Sequence, residues 1–176
     1  MKITVFNFMQ NKSYSQELAG NLRTEADVTW LDMADKKINH CIGCYGCWLK
    51  TPGKCIHKDD MEDMYKAYIS SDLSVFNVDL SRGFFNSRYK IAQDRLIPLY
   101  HPYMDVSKGF FSHQHRYEKY PDEAYIFHRD RESNDFDIAN IKNYVKYCLK
   151  HTDAKLRFFK EDTNAPEEAA NEITAC

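Results

Sequence analysis

The sequence alternates short apolar runs with segments of helical periodicity. Five runs rich in β-branched and aromatic residues predict strands, at 3–8, 28–31, 73–78, 124–128 and 156–159. Most of the stretches between them carry apolar residues at the spacing of one helix face. Strands that alternate with helices form a mostly parallel sheet with helices on both faces. The sequence therefore predicts a doubly wound α/β domain, in which ligands bind beyond the carboxyl ends of the strands.

N-cap residues and apolar stripes predict where the helices begin. The candidate caps are Ser13 with Gln16 as a capping box, Asp59 with Asp60, and Asn134 or Asp135. The Met and Tyr stripe at 61–69 is predicted to face the core, and 86–96 forms a weaker helical pattern. At 176 residues the chain suits a single domain, predicted at 1–160, with an acidic tail at 161–176 that contains a short helix after Pro166.

Residues 98–121 fit neither period and are predicted to form a long loop or excursion. This segment holds six aromatic residues and three of the seven His. So much aromatic surface is unusual for a solvated loop, which predicts a subunit contact. His113 and His115 could act as metal ligands on one side of an extended strand, but a solvated loop is the favoured interpretation. His101 is assigned to packing or a subunit contact.

Charge and length limit the classes of partner. The chain has 24 Lys and Arg against 26 Asp and Glu, a net charge of -2, and its basic residues are scattered. Nucleic acid and anionic membranes are therefore not expected as partners, because both require a concentrated positive face. The first eight residues lack the core of a signal peptide, and no apolar run approaches a membrane span of roughly 20 residues. A cytoplasmic location is expected, where clustered thiols indicate metal or redox chemistry.

Four of the six cysteines lie within fifteen residues, in the segment 41–55. Cys41, Cys44, Cys47 and Cys55 have the spacing C-x2-C-x2-C-x7-C. Two-residue gaps wrap thiolates around a small volume, as an iron-sulfur cluster requires, and the intervening glycines permit a tight backbone. A 4Fe-4S cluster is favoured, while zinc and reduced, metal-free thiols remain open. Cys148 is predicted to be a core residue and Cys176 to have no role.

The stretches CIGCYGCWLKTPGKCIHKDDM and DRLIPLYHPY resemble the flavodoxin-like NAD(P)H-dependent FMN reductases, above all the iron-sulfur flavoproteins among them. The resemblance covers roughly 1–160. It implies a five-stranded sheet of order 2-1-3-4-5 with FMN at its carboxyl edge and a 4Fe-4S cluster near the flavin. It also implies a homodimer or homotetramer, and a small-molecule or protein donor and acceptor, the donor being NAD(P)H or ferredoxin.

The same resemblance assigns FMN to two loops, at 9–15 and 77–83, expected to lie at one sheet edge with the cysteine segment. The implied contacts are Gln10, Lys12, Ser13 and Ser15 in the first loop, and Asn77, Val78, Asp79, Leu80, Ser81 and Gly83 in the second. Both loops depart from the family pattern, since Gln10 stands for an arginine and Asp79 for a proline. Lys12 is the candidate replacement for the lost charge. These changes predict FMN binding that is weakened but not abolished.

Three functions are compatible with these patterns. The first is an FMN-dependent oxidoreductase or electron-transfer iron-sulfur flavoprotein. The alternatives are a non-catalytic binding or regulatory subunit with a decayed flavin site, and an FMN reductase that lacks a cluster. The use of NAD(P)H rests on the resemblance alone, because the chain has no dinucleotide-binding fingerprint. No catalytic acid or base is assigned, since flavin chemistry depends mainly on the cofactor.

Overall fold

The computed structural model describes residues 1–162 and 165–175. The strands in chain order are β1 (Lys2–Phe8), β2 (Asp27–Asp32), β3 (Leu73–Ser81), β4 (Phe84–Phe85), β5 (Tyr100–Asp105), β6 (Ser112–His115), β7 (Asp122–His128) and β8 (Leu156–Glu161). The helices are α1 (Lys12–Leu22), α2 (Gly46–Leu49), α3 (Met61–Ser70), α4 (Ser87–Asp94), α5 (Asp135–Lys150) and α6 (Pro166–Ala175), with a 3-10 turn at Ile97–Leu99.

The central sheet has the predicted parallel order. Its strands run β2-β1-β3-β7-β8, which is 2-1-3-4-5 when only the long parallel strands are counted. Asn7 of β1 lies in register with Asp32 of β2 and with Asn77 of β3. The doubly wound α/β fold predicted from the sequence is confirmed.

Helices cover both faces of this sheet, as predicted. Helices α3, α4 and α5 pack on one face around a dense aromatic core that includes Phe6, Phe76 and Tyr125. Helices α1 and α6 pack on the other face, over smaller residues such as Val5 and Val75. Each large side chain buried in this way contributes roughly 1.5 to 3 kcal/mol. The α6 helix, predicted after Pro166, contacts α1 directly.

The predicted helix caps are partly wrong. Helix α1 is capped by Asn11, whose side chain accepts a hydrogen bond from the Ser13 N–H, so Ser13 itself lies inside the first turn. Asn134 caps α5 in a complete capping box, as predicted. Asp60 is the N-cap residue of α3 but makes no side-chain cap bond, whereas Oδ1 of Asp59, the other predicted cap, accepts from the Met61 N–H at 3.3 Å. Local propensity cannot separate two neighbouring cap residues when a tertiary contact decides between them.

Residues 98–121 leave the central sheet, as the predicted excursion does, but they do not form a loop. Strands β5 and β6 form an antiparallel hairpin there, irregular between Tyr100 and Met104. Tyr120 is buried and stacks on Tyr100 with ring centroids 5.5 Å apart. Tyr100 and Tyr120 therefore hold the hairpin against the core, a packing that sequence periodicity alone does not reveal.

The second predicted flavin loop, 77–83, is also mostly strand. β3 continues to Ser81 and turns back into β4 through Arg82 and Gly83, whose φ angles are 52° and 79°. Positive φ at both central residues is typical of a tight hairpin turn. No helix within the described ranges is long and apolar enough to cross a membrane.

Candidate functional site

The two segments assigned to FMN meet at the carboxyl edge of the sheet, as predicted. The N–H of Gln10 donates a 2.8 Å hydrogen bond to Oδ2 of Asp79, which joins the end of β1 to the end of β3. A cleft of about 500 Å³ opens beside this contact. Its walls include Gln10, Lys12, Asp79, Leu80 and Ser81 from the predicted set.

Other members of the predicted set do not line this cleft. Ser13, Ser15, Asn77, Val78 and Gly83 are absent from its described walls. The N–H of Gly83 donates instead to Oγ of Ser133, and a Cβ at this position would lie 3.0 Å from the Asp137 carboxyl carbon. Gly83 therefore serves the packing of the turn against the start of α5.

The hydroxyl groups of the first loop are bound within the chain. Oγ of Ser15 is buried, donates to the Lys12 carbonyl at 2.9 Å and accepts from Nε1 of Trp30 at 3.2 Å. Oγ of Ser13 donates to Oδ1 of Asn11 at 2.7 Å. These hydrogen bonds stabilise the start of α1 and leave the loop few free donors for an anion.

The lysine assigned to the missing phosphate charge is paired with acids. Nζ of Lys12 lies 2.5 Å from Oδ2 of Asp32 and also contacts Asp35. Hydrogen bonds to Asp32 and Asp35 raise the pKa of Lys12. Its charge is therefore largely balanced by carboxylates from the end of β2 and the loop that follows it.

Asp79 adds a further acidic group to the cleft. It is half-buried, and burial raises the pKa of its carboxyl although the Gln10 N–H opposes this. His128 of the adjacent strand lies in register with Asp79 and contacts Asp162 at 3.1 Å. The sheet edge where the FMN phosphate is expected therefore carries carboxylates. One of them, Asp79, already accepts the hydrogen bond of the Gln10 N–H.

Sequence reasoning missed the contribution of α4 to this cleft. Asn86, Ser87 and Arg88, at the start of α4, line it. Nδ2 of Asn86 donates to the Phe8 carbonyl at 2.9 Å, which fixes the helix end against β1. Arg88 is exposed and lines the cleft. Unlike Lys12, it forms no ion pair among the described residues, so its charge is available to a phosphate. An Asn cap followed by Arg in the first turn was the available signal.

The four cysteines of the segment 41–55 line one cavity. Gly43, with φ of 65°, and Tyr45, with φ of 54°, bend the chain between them. A side chain at Gly46 would lie 2.6 Å from Cγ2 of Ile56 and 3.5 Å from Sγ of Cys44. The glycine therefore permits the tight backbone that was predicted, and the segment folds back on itself so that Cys55 approaches the other three.

The cysteines differ in exposure. Cys47 is buried, Cys55 is partly buried, and Cys41 and Cys44 are exposed. Burial raises the pKa of the Cys47 thiol, and the neighbouring Cys55, Cys41 and Cys44 raise it further. Among residues 1–162 and 165–175, no three His, Cys, Asp or Glu side chains form a group that could hold a metal ion. The thiols share a cavity, but they do not stand in a closed ligand geometry.

Two buried nitrogens in the same cavity wall lack hydrogen-bond partners. Arg95 is 1% exposed, and its guanidinium binds Asp59 and the Asn39 carbonyl, while Nε is unpaired. Nε2 of His57 is also buried without a partner within the described residues. Both residues line the cysteine cavity. Buried donors left unpaired are costly, and cluster sulfur atoms accept such hydrogen bonds, so this donor set fits a sulfur-rich anionic group.

The hairpin anchors the cysteine segment from outside. Nε1 of Trp48 donates to the Tyr100 carbonyl at 3.0 Å, and the Trp48 ring lies 5.1 Å from the His113 ring. His113 and His115 lie in β6 and are partly buried, so the favoured interpretation as a solvated loop is wrong. Nε2 of His115 contacts the His151 carbonyl at 2.7 Å.

The cysteine cavity and the cleft assigned to flavin lie at opposite ends of α4. The cavity lies at the carboxyl end of this helix, whereas the cleft lies at its amino end. Eight residues of helix span about 12 Å. The Arg95–Asp59 pair holds the segment at the far end, a tertiary contact that no sequence pattern indicated. Cys148 is only partly buried, contrary to its predicted core position, and Cys176 lies outside the described residues.

Comparison with known proteins agrees with the resemblance seen in the sequence. No known family model matches the chain. The iron-sulfur flavoproteins MJ0731 and MJ1083 of Methanocaldococcus jannaschii are 37% and 32% identical over 70 and 73 residues. These matches cover 40% and 42% of this chain but only 35% and 37% of the two relatives. The predicted resemblance to iron-sulfur flavoproteins is confirmed over that portion.

Solved structures resemble the whole chain in fold. A flavone reductase aligns with a TM-score of 0.63 and 12% identity, covering 99% of this chain and 60% of that one. Flavodoxin 1 from Bacillus cereus aligns with a TM-score of 0.54 and 10% identity, covering 99% of this chain and 98% of the flavodoxin. At such low identity the comparison establishes the flavodoxin-like fold.

Proposed function

We propose that this chain is an iron-sulfur flavoprotein that transfers electrons, with a 4Fe-4S cluster at Cys41, Cys44, Cys47 and Cys55 and FMN in the cleft at the sheet edge. The observation that carries the proposal is the single cavity lined by all four cysteines together with the unpaired Arg95 and His57 nitrogens. The partial match to iron-sulfur flavoproteins supports it.

The residues of the chain have distinct roles in this proposal. A bound cluster and FMN would supply one-electron and hydride chemistry, respectively. The cysteine thiolates hold the cluster, and Arg95 and His57 donate to its sulfur atoms. Trp48 anchors the segment to the hairpin through the Tyr100 carbonyl. In the cleft, the exposed Arg88 binds the FMN phosphate.

Partners and location form part of the proposal. The donor is NAD(P)H or ferredoxin, and the acceptor is a small molecule or a protein. The hairpin exposes Tyr103, Met104, Val106 and Phe111, which suits an interface within a homodimer or homotetramer. The proposed location is the cytoplasm, a reducing compartment in which clustered thiols serve metal or redox chemistry.

Metal analysis of anaerobically reconstituted protein tests the cluster. We expect about four irons and four sulfides per chain and a broad visible absorption that is lost on reduction. Cys44→Ser should lose most of the iron, whereas Cys148→Ser, a matched change outside the cavity, should retain it. Stoichiometric zinc, or full iron content in Cys44→Ser, would contradict the proposal.

A second candidate is a cluster-binding subunit without flavin. One observation favours it. The Asp79 carboxylate accepts the hydrogen bond of the Gln10 N–H, where a phosphate oxygen is expected. Titration of the cluster-loaded protein with FMN, followed by flavin fluorescence, separates the two candidates. Saturable binding supports the flavoprotein. No binding at millimolar FMN, with the cluster intact, supports the subunit.

A further inference from the structure

A third cavity lies inside the helical layer, away from the flavin cleft. It has a volume of about 330 Å³ and lies between the strands β3 and β7 and the helices α3, α4 and α5. Much of its wall is aromatic, with the rings of Tyr68, Phe76, Tyr89, Tyr100 and Tyr144. A cavity of this size matches the lower end of the range for small-molecule sites.

Glu123 places a carboxyl group in the wall of this cavity. The residue is 7% exposed, and its oxygens accept hydrogen bonds from Oη of Tyr68 at 2.8 Å and from Oη of Tyr125 at 2.6 Å. The Tyr125 hydroxyl also contacts that of Tyr89 at 2.6 Å. A carboxylate has about four acceptor positions, so these hydroxyls leave roughly two of them unfilled.

No cation of the described residues balances this carboxyl group. The cavity wall contains no Lys or Arg. Burial raises the pKa of Glu123 above its usual value, although hydrogen bonds from Tyr125 and Tyr68 oppose this, and a nearby cation would lower it again. Asp94, also in the wall, is paired with Lys90. Burial lowers the pKa of His151, which disfavours the charged form of its ring. Nδ1 of His113, in the same wall, is buried without a hydrogen-bond partner among the described residues.

These features favour a positively charged ligand. A buried carboxylate without a counter-charge is costly, and a ligand cation removes that cost. Aromatic ring faces attract ammonium and guanidinium groups, most strongly where water is excluded. The aromatic rings and the Glu123 carboxyl group therefore both favour a ligand with a positive charge.

We propose that this cavity binds a small organic cation, a primary ammonium or amidinium with a single-ring body, whose charged group pairs with Glu123. The site is separate from the flavin cleft. It borders the cysteine cavity, because Asp94 and Ile97 line both. It rests on neither FMN nor the cluster, so failure of the proposed function leaves it standing.

Binding of a matched pair of probes to the purified full chain tests the proposal. The probes are 2-phenylethylammonium and the neutral 2-phenylethanol, which share the ring and the linker. Isothermal calorimetry at neutral pH should give saturable binding of the cation with a Kd of about 1 mM or tighter, as fragment-sized ligands allow. The alcohol should bind roughly tenfold to a hundredfold more weakly.

Variants locate the site. Glu123→Gln keeps an acceptor for the tyrosine hydroxyls but removes the charge, so the preference for the cation should disappear. Glu118→Gln, at an exposed position of the hairpin-to-β7 connection, should leave it unchanged. Cys148→Phe fills the cavity from α5 and should abolish binding of both probes, which keeps the test valid if Glu123→Gln does not fold. Equal affinity for both probes, no saturable binding, or cation binding that survives Cys148→Phe would overturn the proposal.

Discussion

The Arg95 guanidinium is held by the Asp59 carboxylate through hydrogen bonds of 2.8 Å to Oδ2 and 3.0 Å to Oδ1. Both side chains are buried, with 1% and 5% exposure. The pair joins the end of α4 to the chain that leaves the cysteine segment. Its position therefore determines where the four thiols stand relative to the core.

Removal of one partner should destabilise the fold strongly. We expect Asp59→Asn to lower the free energy of unfolding by about 3 to 5 kcal/mol, because it leaves the Arg95 charge buried and unpaired. Urea unfolding followed by circular dichroism measures the change. Glu62→Gln breaks the exposed Glu62–Lys66 pair and serves as a control that should have little effect. Equal effects of the two variants would contradict the assigned role of the buried pair.

The same pair predicts how stability depends on pH. Burial opposes ionisation of Asp59, but hydrogen bonds from Arg95 and Asn39 outweigh it and hold its pKa well below the usual range. Because the folded-state pKa is depressed, this stabilisation is present above the unfolded-state pKa of about 3.9 and is lost as the pH falls below it. Wild-type protein should therefore lose stability in acid more steeply than Asp59→Asn. Parallel acid-unfolding curves would refute this.

Asp79 should limit the affinity for FMN. Asp79→Ala removes the carboxylate and frees the Gln10 N–H, so FMN should bind roughly tenfold more tightly, the effect of one recovered hydrogen bond to a charged group. Asp79→Asn, which removes only the charge, should give a smaller gain. Asp27→Asn, at the other end of the sheet, is the control. Fluorescence titration measures all four proteins, and unchanged affinity in Asp79→Ala would show that the phosphate lies elsewhere.

The strand runs and their order could be predicted because each run is apolar and locally consistent with one structure. The hairpin at 98–121 could not, since it is held in place by the packing of Tyr100 in β5 on Tyr120 in the following connection and on the core. The Ser13–Gln16 pattern predicts a capping box with Ser13 as the cap of α1, but Asn11 is the cap. Asn and Ser have nearly equal cap propensity, so sequence alone does not decide between them.

The candidate sites were predictable to different degrees. Close sequence spacing identified the cysteines, and their shared cavity follows from it. No local pattern marks Arg95, His57 or Glu123. Their partners are residues distant in the chain, such as Asp59 for Arg95, or the bound groups proposed above. The hydrogen bond from the Gln10 N–H to Asp79 likewise joins the ends of β1 and β3, which only the folded sheet brings together.

If the proposed cluster is present, the unpaired His57 nitrogen should affect its reduction potential. Hydrogen bonds to cluster sulfur stabilise the more negative, reduced form, so His57→Leu should shift the midpoint potential to a more negative value. His40→Leu changes an exposed histidine beside Cys41 and is the matched control. Redox titration followed by electron paramagnetic resonance gives the potentials. An equal shift in both variants would assign the effect to general disturbance of the segment.

The hairpin should form the subunit interface. Tyr103 and Phe111 are 65% and 72% exposed, and each would contribute roughly 1.5 to 3 kcal/mol if it were buried against a second chain. We expect light scattering at micromolar concentration to show a homodimer or homotetramer for the wild-type protein. The double variant Tyr103→Ser and Phe111→Ser should be monomeric, because it removes both aromatic contacts. Phe136 and Tyr147 of α5 are 73% and 56% exposed, so their paired serine variant is a control of similar apolar loss that should keep the wild-type mass. A monomeric wild-type protein, or dissociation by the α5 variant alone, would move the interface away from the hairpin.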